Sequence, residues 1–168
     1  YFGSQVADVA RAAGIVAGTV YLYFRSKDEI LTSIFDRTMR EAIEQGRTAL
    51  EDVRDPVERL RRIARMHLAR MGRDRNLAIV FQVELRQTTK FMEQFSKSGL
   101  RDYLLVIQQT IEEGQAPGVF RNTINARTAS KVVFGALDEL ATNWILGRRR
   151  YALQEQGDED VGRILGGV

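Results

Sequence analysis

The chain has 168 residues, 44% of them hydrophobic, with 25 Lys and Arg against 22 Asp and Glu for a formal net charge of +3. This is enough chain to bury a core in one or two small domains. With no cysteine and a single histidine, disulfides, thiolate nucleophiles, cysteine zinc sites and His-rich metal sites are excluded, as is any Ser-His-Asp triad away from His67. No apolar run reaches the ~18 residues that span a bilayer, and no basic-then-apolar leader opens the chain. The expected compartment is therefore the cytoplasm, with no membrane partner. The small cationic excess is mostly arginine, whose planar fork suits phosphate, although a charge-mixed solvated surface fits it as well.

Almost every segment reads as helix, because proline occurs only at Pro56 and Pro117 and no stretch alternates as a half-buried strand does. The chain opens on Tyr1-Phe2-Gly3 without Met, as if cut within a helix. Ser4 is the expected cap of a short helix to Ala13, with Val6, Val9 and Ala10 inward, ended by Gly14. A second short helix is expected from Ala17 to Phe24. Ser26 caps a longer one, with Asp28 and Glu29 in its first turn, where the helix dipole favours carboxylates.

Apolar pairs at Ile30/Leu31, Ile34/Phe35, Thr38/Met39 and Ala42/Ile43 give that helix one continuous stripe. Asp55-Pro56 starts the next, since proline at the first helical position lacks an N–H that would be unpaired anyway. Its stripe is Val57, Leu60, Ile63/Ala64, His67/Leu68 and Met71, and Gly72 to Arg75 is an expected turn. Asn76 is the expected cap of a segment from Leu77 to Leu85 that is apolar on nearly all sides, as a central or cavity-lining helix is.

A further helix, bent near Ser98-Gly99, is expected to run to Gly114 and break at Ala116-Pro117-Gly118. Asn125 caps a long helix with apolar residues on more than one face, ended by Arg148-Arg149-Arg150. The tail from Asp158 to Val168 reads as a weak, glycine-spoiled helix.

Residues 5–24, QVADVARAAGIVAGTVYLYF, place two short helices around a glycine turn. Ala10 is small enough for the second helix to cross close over the first. Val9, Ile15, Val20 and Tyr23 fall where the two would pack. This is the pattern of a helix-turn-helix, whose second helix enters the major groove; an αα-corner without DNA is the alternative. The run ARAAGIVAGTVYLYFRSKDEIL (10–31) resembles the head of TetR-family regulators. The resemblance implies an all-α protein, a helix-turn-helix head joined to a helical body that binds a ligand and dimerises.

By the same resemblance, Thr19, Tyr21 and Tyr23 lie on the recognition helix, Gly18 stands where the helix start approaches the DNA backbone, and Lys27 grips phosphate. Leu22 departs from the polar residue many members carry; it suits a thymine methyl or adds little. The family also carries one more helix before the motif, which is missing here, so the resemblance implies truncation. The expected division is a head with the start of the linking helix, residues 1–46, and an effector and dimer body, 47–168.

NLAIVFQVELRQ (76–87) and FGALDELATNWILGRRRYAL (134–153) resemble the fatty-acid-degradation repressors of that family, which release DNA on binding long-chain acyl-CoA. That likeness implies repression at a palindromic operator, an acyl-CoA effector, a homodimer and no catalytic or metal site or bound cofactor. Leu77, Val80, Phe81, Leu104, Ile107 and Val133 are the candidate walls of an acyl tunnel. Arg86, Arg148 and Arg149 are candidate phosphate partners, although Arg86 also suits a pair with Glu84 or Asp138, and the arginine run suits a helix cap. Ala129, Ala136 and Ala141 beside Trp144 suit a dimer seam or a plain core. His67 suits a hydrogen-bonded core position or a ligand contact. A multidrug or other small-molecule-responsive repressor, an enzyme and a helical interaction module are the rival readings.

Overall fold

The computed structural model describes residues 5–84, 86, 99–147, 152 and 153. Helix α1 (Val6–Ala12) starts at Gln5, whose N–H donates to the Asp8 carboxylate at 2.7 Å; Ser4 lies outside the described residues. Gly14 turns the chain at φ +69°, a left-handed conformation that costs other residues energy. Helix α2 (Ala17–Tyr23) follows, and its axis turns 115° from α1, within the ~90–120° of helix-turn-helix pairs.

Ala10 is buried in the crossing with Val6 and Val20. Of the four expected seam residues only Val20 is in it: Val9 is half-buried, Ile15 is 49% and Tyr23 75% exposed. Seven-residue α1 is only ~10 Å long, too short to cover Tyr23 at the far end of α2.

Helix α3 (Lys27–Leu50) is capped by Ser26 Oγ, which accepts from Glu29 N at 3.2 Å, while Glu29 Oε2 accepts from Arg25 N at 2.6 Å. It continues past Gly46. Helix α4 (Pro56–Arg73) is capped by the Asp55 carboxylate, which accepts from Val57 N and Glu58 N. Gly72 and Arg73 are still helical rather than in the expected turn, and the break falls at Asp74 alone. Asp74, not Asn76, caps α5 (Arg75–Ile79), because its carboxylate reaches Leu77 N at 3.0 Å while Asn76 already sits in the first turn.

A π-helical turn, Val80–Glu84, continues α5, where a regular helix to Leu85 was expected; Leu85 itself lies outside the described residues. Helix α6 is described over Gly99–Gln115; the expected bend near Ser98-Gly99 involves Ser98, which lies outside the described residues. Helix α7 (Ala126–Leu146) is capped by Asn125 Oδ1, which accepts from Thr128 N at 2.8 Å. Arg148 to Arg150 and the tail 158–168 lie outside the described residues.

In the body α6 packs along α7, α4 lies against both, and α3 packs on α6 and α4. Leu60, Leu68, Ile107, Ile111, Leu137 and Ala141 are almost fully enclosed in the shared core. Buried Thr110 and Ser130 satisfy their hydroxyls on the carbonyls of Val106 and Arg127. Ala129, Ala141 and Trp144 lie in this chain's own core, because α7 packs on α4, α5 and α6. The large apolar residues α7 leaves exposed are Val132 and Leu146. Among the described residues no single helix is long and apolar enough to cross a membrane.

Candidate functional site

Two surfaces stand out, one on the head and one inside the body. On the head, α2 exposes Gly18, Thr19, Tyr21, Leu22 and Tyr23 together. Large apolar groups are rarely left in water at this density without a partner. Leu22 is 80% exposed, so nothing in the chain's own core requires it. Lys27 opens α3 just beyond, half-buried.

In the body a cavity of about 200 Å³, open to solvent at its mouth, lies between α3, α4, α5, α6 and α7. From α3 it takes Phe35, Thr38, Met39, Ala42 and Ile43 of the predicted stripe, and Gly46 beyond it. Ile63, Met66, His67, Arg70 and Met71 of α4 form the facing wall. Leu77, Ala78, Phe81, Gln82 and Arg86 close a third side, with Tyr103, Val106, Phe134 and Asp138 behind them. The π-helical turn presents Phe81, which meets Phe35 of α3 edge to face at 5.2 Å; such widened turns are frequent at functional sites.

Polar groups are few and organised. Arg86 forms a two-bond pair with Asp138, at 2.9 and 2.6 Å. Gln82 Nε2 donates to the same carboxylate at 3.0 Å. On α4, Arg70 reaches across to α3, donating to Gln45 Oε1 at 2.7 Å and to the Thr38 carbonyl at 3.5 Å. His67 Nδ1 lies 3.1 Å from the Tyr103 hydroxyl, and its ring is flanked by Phe134. Burial pushes the His67 pKa down to about 4 and raises that of the Tyr103 phenol, so both are neutral at ordinary pH.

Of the predicted tunnel residues, Leu77, Phe81 and Arg86 border this cavity. Ile107 and Val133 are enclosed in the core, away from it. Val80 packs instead with the Phe35 cluster, and Leu104 is half-buried elsewhere on α6. Arg148 and Arg149 lie outside the described residues. Gln82, Arg70 and Phe134 were missed by the sequence reading; a glutamine inside the apolar run 77–83 was the one visible signal.

Residues 1–34 match the family described as bacterial regulatory proteins, tetR family, and residues 35–167 match the YsiA-like protein C-terminal region. The fatty acid metabolism regulator protein of Bacillus subtilis (strain 168) is 32% identical over 168 residues, 100% of this chain and 87% of that protein. The fatty acid degradation regulator FadR from Bacillus halodurans superposes with a TM-score of 0.91 at 33% identity, over 98% of this chain and 86% of that one. FadR from Bacillus subtilis, solved in complex with stearoyl-CoA, superposes with a TM-score of 0.91 at 31% identity, over 98% and 89%.

Proposed function

Because the chain belongs to the tetR family of bacterial regulatory proteins, we propose that it is a DNA-binding repressor of fatty-acid degradation genes, released from its operator by long-chain acyl-CoA. The observation that carries this reading is the shared wall: α3 starts at the DNA-reading head and lines the cavity from Phe35 to Gly46. Any occupant of the cavity therefore presses on the element that holds the head. The acyl chain lies among Phe35, Met39, Ile43 and Phe81, and Arg86 stands near the nucleotide phosphates. The carboxylate of Asp138 is neutralised by Arg86, so it offers no uncompensated charge to a cationic drug.

In this reading residues 1–46 read DNA and start the lever, and 47–168 hold effector and dimer contacts, α3 being shared by both functions. Two subunits pair through the outer face of α7, around Val132, and the segment after it, so that two heads read a palindrome in the cytoplasm. The protein acts by binding and turns over no substrate.

The effector must bind the released conformation more tightly, since equal affinity for both shifts nothing. Moving a population from 1:99 to 99:1 takes roughly 5.5 kcal/mol. At about 0.8 kcal/mol for each buried CH₂, roughly seven methylenes engaged only in the released state suffice. Operator DNA recovered by selection from random sequence is titrated off the protein with acyl-CoAs of rising length. Release should strengthen with length, by up to roughly tenfold per two carbons, until the cavity is full. Equal action of acetyl- and palmitoyl-CoA ends the effector assignment while the DNA-binding assignment stands.

A further inference from the structure

The residues of the cavity wall include two buried polar atoms that no group among the described residues satisfies: His67 Nε2 and Gln82 Oε1. Buried polar atoms in native proteins nearly always have partners, and an exception calls for a reason. The tautomer of His67 follows from counting partners. The Tyr103 hydroxyl has His67 Nδ1 as its hydrogen-bond partner among the described residues. If Nδ1 carried the proton, both the hydroxyl hydrogen and the Nε2 lone pair would be left unpaired. With the proton on Nε2, Tyr103 donates to Nδ1 and only one group is orphaned. His67 therefore offers an N–H donor. Gln82 offers the opposite, because its amide nitrogen is committed to Asp138 and its oxygen is left as a free acceptor.

His67 and Gln82 line the same cavity, each against a residue of α7. His67 packs against Phe134 and Gln82 bonds Asp138, residues one helical turn apart, about 6 Å along the axis. Arg86 is bonded to the same Asp138. The wall thus presents a donor and an acceptor, with the Arg86–Asp138 ion pair beside them, facing the apolar surface of α3.

We propose that His67 and Gln82 form a reading site for the linkage of a coenzyme A thioester, His67 Nε2–H bonding the thioester carbonyl and Gln82 Oε1 the nearest amide N–H of the pantetheine arm. That carbonyl and amide are separated by the sulfur and an ethylene link. This assignment rests on the acyl-CoA reading above and adds what that reading lacks: which side chains distinguish a thioester from any other long apolar anion.

The test compares palmitoyl-CoA with S-hexadecyl-CoA by calorimetric titration of the full chain. The thioether keeps the chain, the amides and the phosphates, and replaces only the carbonyl by a methylene, which on transfer grounds alone binds as well or better. The thioester should bind about tenfold more tightly, the effect of leaving one buried donor unpaired. In the His67→Phe, Tyr103→Phe double variant, which removes the donor without stranding the phenol, the two ligands should bind within about twofold of each other. Gln82→Met should weaken both ligands alike, because both carry the amide. Equal binding of the two ligands to the unaltered protein overturns the assignment and leaves the acyl-CoA reading intact. A thioester preference that survives the double variant overturns it too. Failure of both ligands to bind overturns the acyl-CoA reading and this assignment with it.

Discussion

The guanidinium of Arg75 lies 5.1 Å from the centre of the Trp144 ring and donates to the carbonyl of the same residue at 2.9 Å. It also bonds the carbonyls of Ile145 and Gly147. The last carbonyls of a helix have no donors of their own and carry its negative end. One side chain from the start of α5 thus closes the end of α7, joining a cavity-lining segment to the helix behind it. Arg75→Ala should destabilise the fold by about 3 kcal/mol, the range for charged hydrogen bonds to buried acceptors. Arg75→Lys should recover less than half, because an ammonium neither forks nor stacks. Urea unfolding followed by the fluorescence of Trp144, the single tryptophan, measures both; full recovery by lysine would show that charge alone matters.

Gly114 and Phe120 fix the turn between α6 and α7. A Cβ at Gly114 would fall 2.1 Å from Phe120 Cδ2, and Phe120 is only 5% exposed. Gly114→Ala should therefore cost about 1–3 kcal/mol by overpacking. Combined with Phe120→Leu, the loss should be less than additive, since the smaller side chain leaves room. Additive losses in denaturant titrations of the four proteins would place the strain elsewhere.

Acid should weaken the fold through His67. Its pKa is about 4 in the folded chain against an ordinary 6.5, chiefly from burial, with Asp138 raising it and Arg70 lowering it. As pH falls the unfolded chain takes up this proton first. The contribution is therefore fully present above about pH 6.5 and is lost between there and pH 4. At about 1.4 kcal/mol per pKa unit, the whole effect is about 3 kcal/mol. The stability difference between the native chain and His67→Gln, measured from pH 7.5 down to 4.5, should shift toward the variant by most of that amount. A difference that stays flat across this window would rule out His67 as the source.

The head residues should separate by role. Lys27→Ala should weaken binding to all DNA and reduce the salt slope by about one, as one lost phosphate contact does. Thr19→Ala and Tyr21→Ala should cost more on selected operator than on random DNA, because α2 exposes both side chains. Filter binding at several salt concentrations distinguishes the two behaviours, and equal losses on both DNAs for all three variants would reverse the assignment.

The helices were legible in the sequence because their determinants are local. Ser26, Asp55 and Asn125 cap helices where they were expected to, since a short polar side chain needs only the N–H groups two or three residues on. The crossing of α1 and α2 was legible for the same reason, through Ala10 and the left-handed Gly14. The apolar stripe of α3 was visible as periodicity, but its partner was not: Thr38 to Ile43 meet an open cavity rather than a filled core. Apolar spacing reports that a face leaves water, and a cavity wall leaves water as a core does.

What the tertiary structure decided is everything that depends on distance between segments. Arg86 had two possible carboxylate partners in the sequence and pairs with Asp138, 52 residues away. Ile107 and Val133 carry the same apolar character as Leu77 and Phe81, yet the first two are sealed in the core and the second two border the cavity. Gln82 enters the cavity through the π-helical turn, a widening too short for periodicity to register. Helix identity is set within a few residues by caps and propensity, whereas the division between core, cavity and surface is set by how whole helices pack, and that free energy is summed over contacts no local stretch of sequence contains.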